Sequence, residues 1–151
     1  MIDAIKYSVE QMNPEPRFIV GSWLEATKLN SILSYDKTMD GKKYPLVFLD
    51  SNFETDKSET ATVDLYFVAR SKESYTTQQR ESLVYADILT PLFRDFLYQA
   101  FKSAKFIFEN VENARDYYAE YTTDKMYYAP NVLNDIVDVL HVNLQLKLKL
   151  K

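Results

Sequence analysis

The chain has 151 residues with 18 basic and 22 acidic side chains, a formal charge of −4, one His, two Gly and no Cys. That length fits one domain, residues 1–151, able to bury a core without a staple. The missing cysteines exclude disulfides, thiolate metal sites and cysteine nucleophiles, and the acidic balance argues against a surface built to neutralise many phosphates.

Ile2, Ile5, Val9 and Met12 recur at helical spacing, so residues near 2–12 are predicted to form a short amphipathic helix that Pro14 and Pro16 end. The first residues lack the basic-then-apolar order of a signal peptide, and no apolar run approaches the roughly 20 residues that span a bilayer; a soluble protein is expected. Arg17–Val20 reads as a short strand closed by Gly21. Ser22 is a plausible N-cap for a helical segment carrying Trp23, Leu24, Leu29, Ile32 and Leu33, and Tyr35–Lys43 reads as a polar loop turning at Asp40-Gly41.

Two strand signals follow. Tyr44–Asp50 is apolar, with Pro45 at its start or on a sheet edge because proline cannot donate to a ladder. In Ala61–Ala69, Ala61, Val63, Leu65, Phe67 and Ala69 alternate with Thr62, Asp64 and Tyr66, the period of two of a half-buried strand. The acidic stretch Ser51–Thr60 between them is longer than a tight hairpin needs. Its flexibility is expected to let it order on a partner.

From Thr76 to Lys105 the pattern is helical. Tyr85, Ile88, Leu89, Leu92, Phe93, Phe96, Leu97, Ala100, Phe101 and Ala104 form one apolar face, with a break or kink at Pro91 and Thr90 as its cap. Lys105–Phe108 reads as a short strand, and Glu109–Pro130 as a loop with a hairpin. The alternative for that stretch is a surface of Tyr117, Tyr118, Tyr121, Tyr127 and Tyr128 that another subunit covers. Asn134 and Asp135 mark a turn or short helix. Val142, Leu144, Leu146, Leu148 and Leu150 then alternate with polar residues ending in Lys147, Lys149 and Lys151, an amphipathic strand that completes the sheet or covers a neighbouring molecule. The fold class is therefore α+β: a mostly antiparallel sheet packed against a long kinked helix plus a short N-terminal helix.

Candidate chemistry is thin. His141 has only Asp135 and Asp138 nearby in sequence, too few for a metal site, and reads as a solvated or strand-end histidine. Two glycines provide no phosphate-cradling loop, and no nucleophile elbow exists. Asp36 with Asp40, Asp50 with Glu54 and Asp56 with Glu59 fall in polar loops, where carboxylates are solvated rather than paired for acid/base work. No catalytic, cofactor-binding or metal-binding residue is assigned, no cofactor is implied, and the chain is not expected to be an enzyme.

The order of short helix, strand, Trp23–Leu33 segment, Lys43-Tyr-Pro-Leu-Val-Phe-Leu-Asp50, alternating strand, long helix and closing Leu-Gln-Leu-Lys-Leu-Lys strand resembles the tail-terminator, tail-completion and neck-ring proteins of tailed bacteriophages. The resemblance spans nearly the whole chain and is closest to the versions in phages and prophages of Bacteroides-like hosts, where a Tyr-Pro-Leu-rich strand sits in the same relative place. It implies a virion protein of the neck or tail, assembled in the host bacterial cytoplasm as a homo-oligomeric ring of six or twelve copies. Its implied partners are other connector, portal or tail proteins, with DNA passing through the channel without sequence-specific binding, and no membrane. The family carries no catalytic residues and no short motif for its ring contacts. The acidic loop Asp50–Glu59 is the candidate lumen or docking loop, since carboxylates would repel passing phosphates. The alternative is a small non-enzymatic adaptor that binds a protein partner through its Tyr-rich surface.

Overall fold

The computed structural model describes residues 1–23, 44–108, 121–132 and 135–149, without side-chain detail at 127–132 and 135. The predicted helix within 22–33, the loop at 35–43 and the turn at Asn134 lie outside these residues, apart from Ser22 and Trp23.

Helix α1 (Ile2–Glu10) buries Ala4, Ile5, Ser8 and Val9, and the Ser8 hydroxyl is satisfied by donating to the Ala4 carbonyl at 3.0 Å. Ile2, expected inward, is exposed. Strands β1 (Arg17–Gly21) and β2 (Leu46–Asp50) pair in parallel; β2 starts directly after Pro45, whose carbonyl accepts from the Arg17 N–H at 3.1 Å. Strand β3 (Thr60–Arg70) runs antiparallel to β2 and to β5 (Asp135–Lys147), and β5 in turn pairs antiparallel with β4 (Tyr121–Val132). The sheet order is β1-β2-β3-β5-β4. The sheet is mixed but mostly antiparallel, packed against one long and one short helix, and the α+β expectation holds.

The alternation in β3 sorts as predicted. Ala61, Val63, Leu65, Phe67 and Ala69 face the helices, joined there by Leu140, Val142, Leu144 and Leu146 of β5 and by Val47 and Leu49 of β2. Phe67 is the aromatic centre, with Phe93 at 5.5 Å and Phe96 at 6.0 Å in edge-on contacts.

The long helix differs from its sequence reading. It opens at Thr76, whose hydroxyl accepts from the Gln79 N–H at 3.2 Å while the Gln79 side chain accepts from the Thr76 N–H at 2.8 Å, a capping box. Helix α2 comprises a first turn (Thr77–Gln79), a π-helical stretch (Arg80–Leu89) and an α-helical part (Thr90–Lys102). Thr90 does not cap a new helix: its own dihedrals are helical and its N–H reaches the Tyr85 carbonyl five residues back. Proline lacks an N–H and its ring crowds the carbonyl four residues earlier; at the predicted break or kink the helix changes from the wider stretch to the α-helical part without being interrupted. Widening also changes which side chains turn inward. Arg80, Val84, Tyr85 and Leu89 are buried, whereas Ile88, predicted on the apolar face, is exposed; Ala104 lies beyond the helix end and is exposed as well.

Three further differences concern the C-terminal third. Lys105–Phe108 forms a single bridge, Phe106 to Leu148, in place of a strand, and Tyr121–Val132 is a long strand paired antiparallel with β5 where a loop with a hairpin was the first reading. Strand β5 begins at Asp135, which was read as a turn, seven residues before the strand predicted from Val142. The pairing register extends it: Arg70 sits opposite Val137 and Thr60 opposite Lys147, so β5 follows the whole length of β3.

Candidate functional site

Three polar arrangements stand out once the sheet is built. The first is inside. Asp138 lies on the helix-facing side of β5, fully buried, with Arg80 Nη1 at 2.7 Å from Oδ1 and the Ser71 hydroxyl donating to Oδ2 at 2.7 Å. Arg80 also donates to the Ser71 Oγ at 3.1 Å and, through Nη2, to the Lys72 carbonyl at 3.0 Å. An ion is costly to bury unless its hydrogen-bonding capacity is met, and here each group is met from a different element. Beside it the Tyr85 hydroxyl donates to the Val139 carbonyl at 3.0 Å, and burial, reinforced by the Asp138 charge, raises its pKa. This cluster fixes the start of the long helix to the end of β3 and the first third of β5.

The second lies on the opposite face. Trp23 stacks on Tyr66 at 4.0 Å and 4°, and Tyr66 stacks on His141 at 4.5 Å and 12°. His141 Nε2 is 2.8 Å from Asp64 Oδ1, which also accepts from Asn143 Nδ2 at 3.0 Å. The pairing explains the contacts, since Tyr66 is directly opposite His141 and Asp64 opposite Asn143. His141 is thus mid-strand and partly covered, neither solvated nor at a strand end, and its acid partner is Asp64 rather than Asp135 or Asp138. Burial, with lesser contributions from the Asp64 and Asp50 charges, pushes the Tyr66 phenol up to about 12. Trp23, Leu46, Phe48, Val68, Val137 and Val139 form a small second core on this face. Among the described residues no three His, Asp or Glu side chains converge as metal ligands.

The third is the end of the sheet where β3 begins and β5 finishes. The acidic connection is organised locally: Asp56 Oδ1 accepts from the Ser58 N–H, the Thr60 N–H and the Ser58 hydroxyl at 2.9, 2.9 and 2.7 Å. Those bonds, the Ser58 hydroxyl first, hold the Asp56 carboxyl below its ordinary range. Asp50 Oδ1 likewise accepts from the Asn52 N–H at 2.9 Å. These carboxylates therefore serve the turns they sit in. Glu59, with φ of 60°, passes its carbonyl to the Leu148 N–H at 2.9 Å. On the other side of the same tail, Ile107 N–H reaches the Lys147 carbonyl at 2.8 Å and Lys149 N–H the Lys105 carbonyl at 2.9 Å.

Sequence reasoning missed Arg80, Ser71 and Asp64. Asp138 carried the available signal, because it shares the parity of Leu140, Val142 and Leu144 and so had to face inward as a charge in need of a partner. Of the singled-out tyrosines, Tyr121 is 48% exposed in β4 and packs edge-on against Phe93 at 5.1 Å. Tyr117, Tyr118, Asp36, Asp40 and Lys151 fall outside the described residues, as do the side chains of Tyr127 and Tyr128. No described helix is long and apolar enough to cross a membrane. Compared with known proteins, the chain matches no protein-family model and no curated protein.

Proposed function

We propose that this chain is a structural subunit of a tailed-bacteriophage neck or tail end, assembling into a closed homo-oligomeric ring between portal and tail. It acts by shape, without catalysis. The observation that supports the reading is the element order: a short helix, two strands, the alternating strand and the long helix follow one another as in the resemblance to tail-terminator and neck-ring proteins, and the closing strand comes last, with β4 added before it. The sheet also supports it, because among the described residues its two edges, β1 and β4, are unlike each other. A ring of identical subunits needs two different surfaces per copy that meet head to tail.

Native mass spectrometry of the purified chain, alone and with a portal ring, tests this. Six or twelve copies are expected, and a strict monomer under every condition overturns it. A second reading, an adaptor that holds a protein partner through tyrosines, is favoured by the exposed Tyr121 ring at the sheet edge. It predicts a monomer or dimer whose partner binding is lost on Tyr121→Ala.

A further inference from the structure

An open groove runs between α1 and the turn that follows the long helix. It is lined by Lys6, Lys105 and Lys149, by the Tyr7 ring, and by only two acids, Asp3 and Glu10. Lys105 and Lys149 stand directly opposite each other across the Phe106–Leu148 bridge. Like charges in that position repel. The Tyr7 ring, 4.7 Å from the Lys105 ammonium, eases this on one side, and Lys6 is engaged only at 4.0 Å with Glu10, both side chains well exposed. The groove therefore offers an anionic group more than the chain itself supplies among the described residues.

The tail of β5 separates that groove from a surface of opposite charge. On the β3 side the connection from Asp50 to Glu59 carries four acids against Lys57 alone, and residues 54–58 are exposed. Within it, the Asp56 carboxylate holds the turn from Asp56 to Thr60. Leu148 is bonded to Glu59 on one flank and bridged to Phe106 on the other. The two surfaces thus lie at the same end of the sheet but on opposite flanks, as contacts repeated by rotation about one axis require.

We propose that the Lys6–Lys105–Lys149 groove of one copy receives the acidic Asp50–Glu59 connection of the next copy. This rests on the ring reading and names its contact.

The test is charge exchange, followed by native mass spectrometry with circular dichroism to verify folding. A groove variant carries Lys105→Glu and Lys149→Glu; a loop variant carries Asn52→Lys, Glu54→Lys and Thr55→Lys, which together turn the connection from acidic to basic. All five positions are exposed. Each variant alone is expected to lose assembly at least tenfold. An equimolar mixture is expected to regain the ring with the two variants in equal numbers, since each then meets a complementary neighbour on both flanks. Raising salt should weaken the wild-type ring, because exposed charges are screened. A wild-type ring that persists in either folded variant, or a mixture that stays unassembled, overturns this contact and leaves the ring reading standing. A wild type that never assembles overturns both.

Discussion

Arg80 and Asp138 are 58 residues apart in sequence and meet at 2.7 Å, with 6% and 0% of their side chains exposed. The pair ties the helix layer to the buried side of β5. Removing one partner of such a pair strands the other charge in the core. Arg80→Ala or Asp138→Ala is expected to cost about 3–5 kcal/mol, whereas Arg80→Met combined with Asp138→Leu recovers much of the loss. Urea unfolding of the three variants checks this.

Phe96 is fully buried against Phe67, and Phe96→Ala is expected to cost about 3–5 kcal/mol through lost burial and a residual cavity. Tyr121→Ala, at an exposed edge, should cost about 1 kcal/mol or less in the isolated chain. Chemical denaturation separates the two.

Ala104 ends the long helix with φ of 57° and carries a Cβ where glycine is usual. Ala104→Gly is expected to raise stability by about 0.5–1 kcal/mol, relief of the left-handed backbone outweighing the added unfolded-state freedom. A higher Tm with unchanged circular dichroism is the expected result.

Tyr66 and Tyr85 both have raised pKa values, Tyr66 to about 12, burial being the chief cause in each. The unfolded phenols ionise first, near 10, so the stability these residues contribute is intact below pH 10. It falls as pH rises towards the folded value. The Tm should therefore drop steeply above pH 10, and Tyr66→Phe or Tyr85→Phe should flatten that drop. Scanning Tm against pH for the wild type and both variants checks it.

The β3 alternation was legible because burial on one face imposes a period of two on local sequence, and Val63, Leu65 and Phe67 obey it. Pairing partners were not, since register joins residues far apart: nothing near His141 in sequence points to Asp64, which the β3–β5 register delivers. The parallel β1–β2 pair was hidden for the same reason. The inward turn of Arg80 was missed because a spacing of three and four assumes an α-helix, and the buried set Arg80, Val84, Tyr85 and Leu89 recurs instead every four or five residues.

That wide spacing makes the long helix sensitive to the number of residues it contains, more than to which ones they are. Nine steps separate Arg80 from Leu89. At about 100° per step an ordinary helix would leave them on opposite sides, while roughly 4.4 residues per turn returns both to the sheet. Excising one outward residue such as Ala86 would rewind the stretch and rotate Arg80 away from Asp138, so single-residue deletions here should be far more damaging than substitutions at the same places.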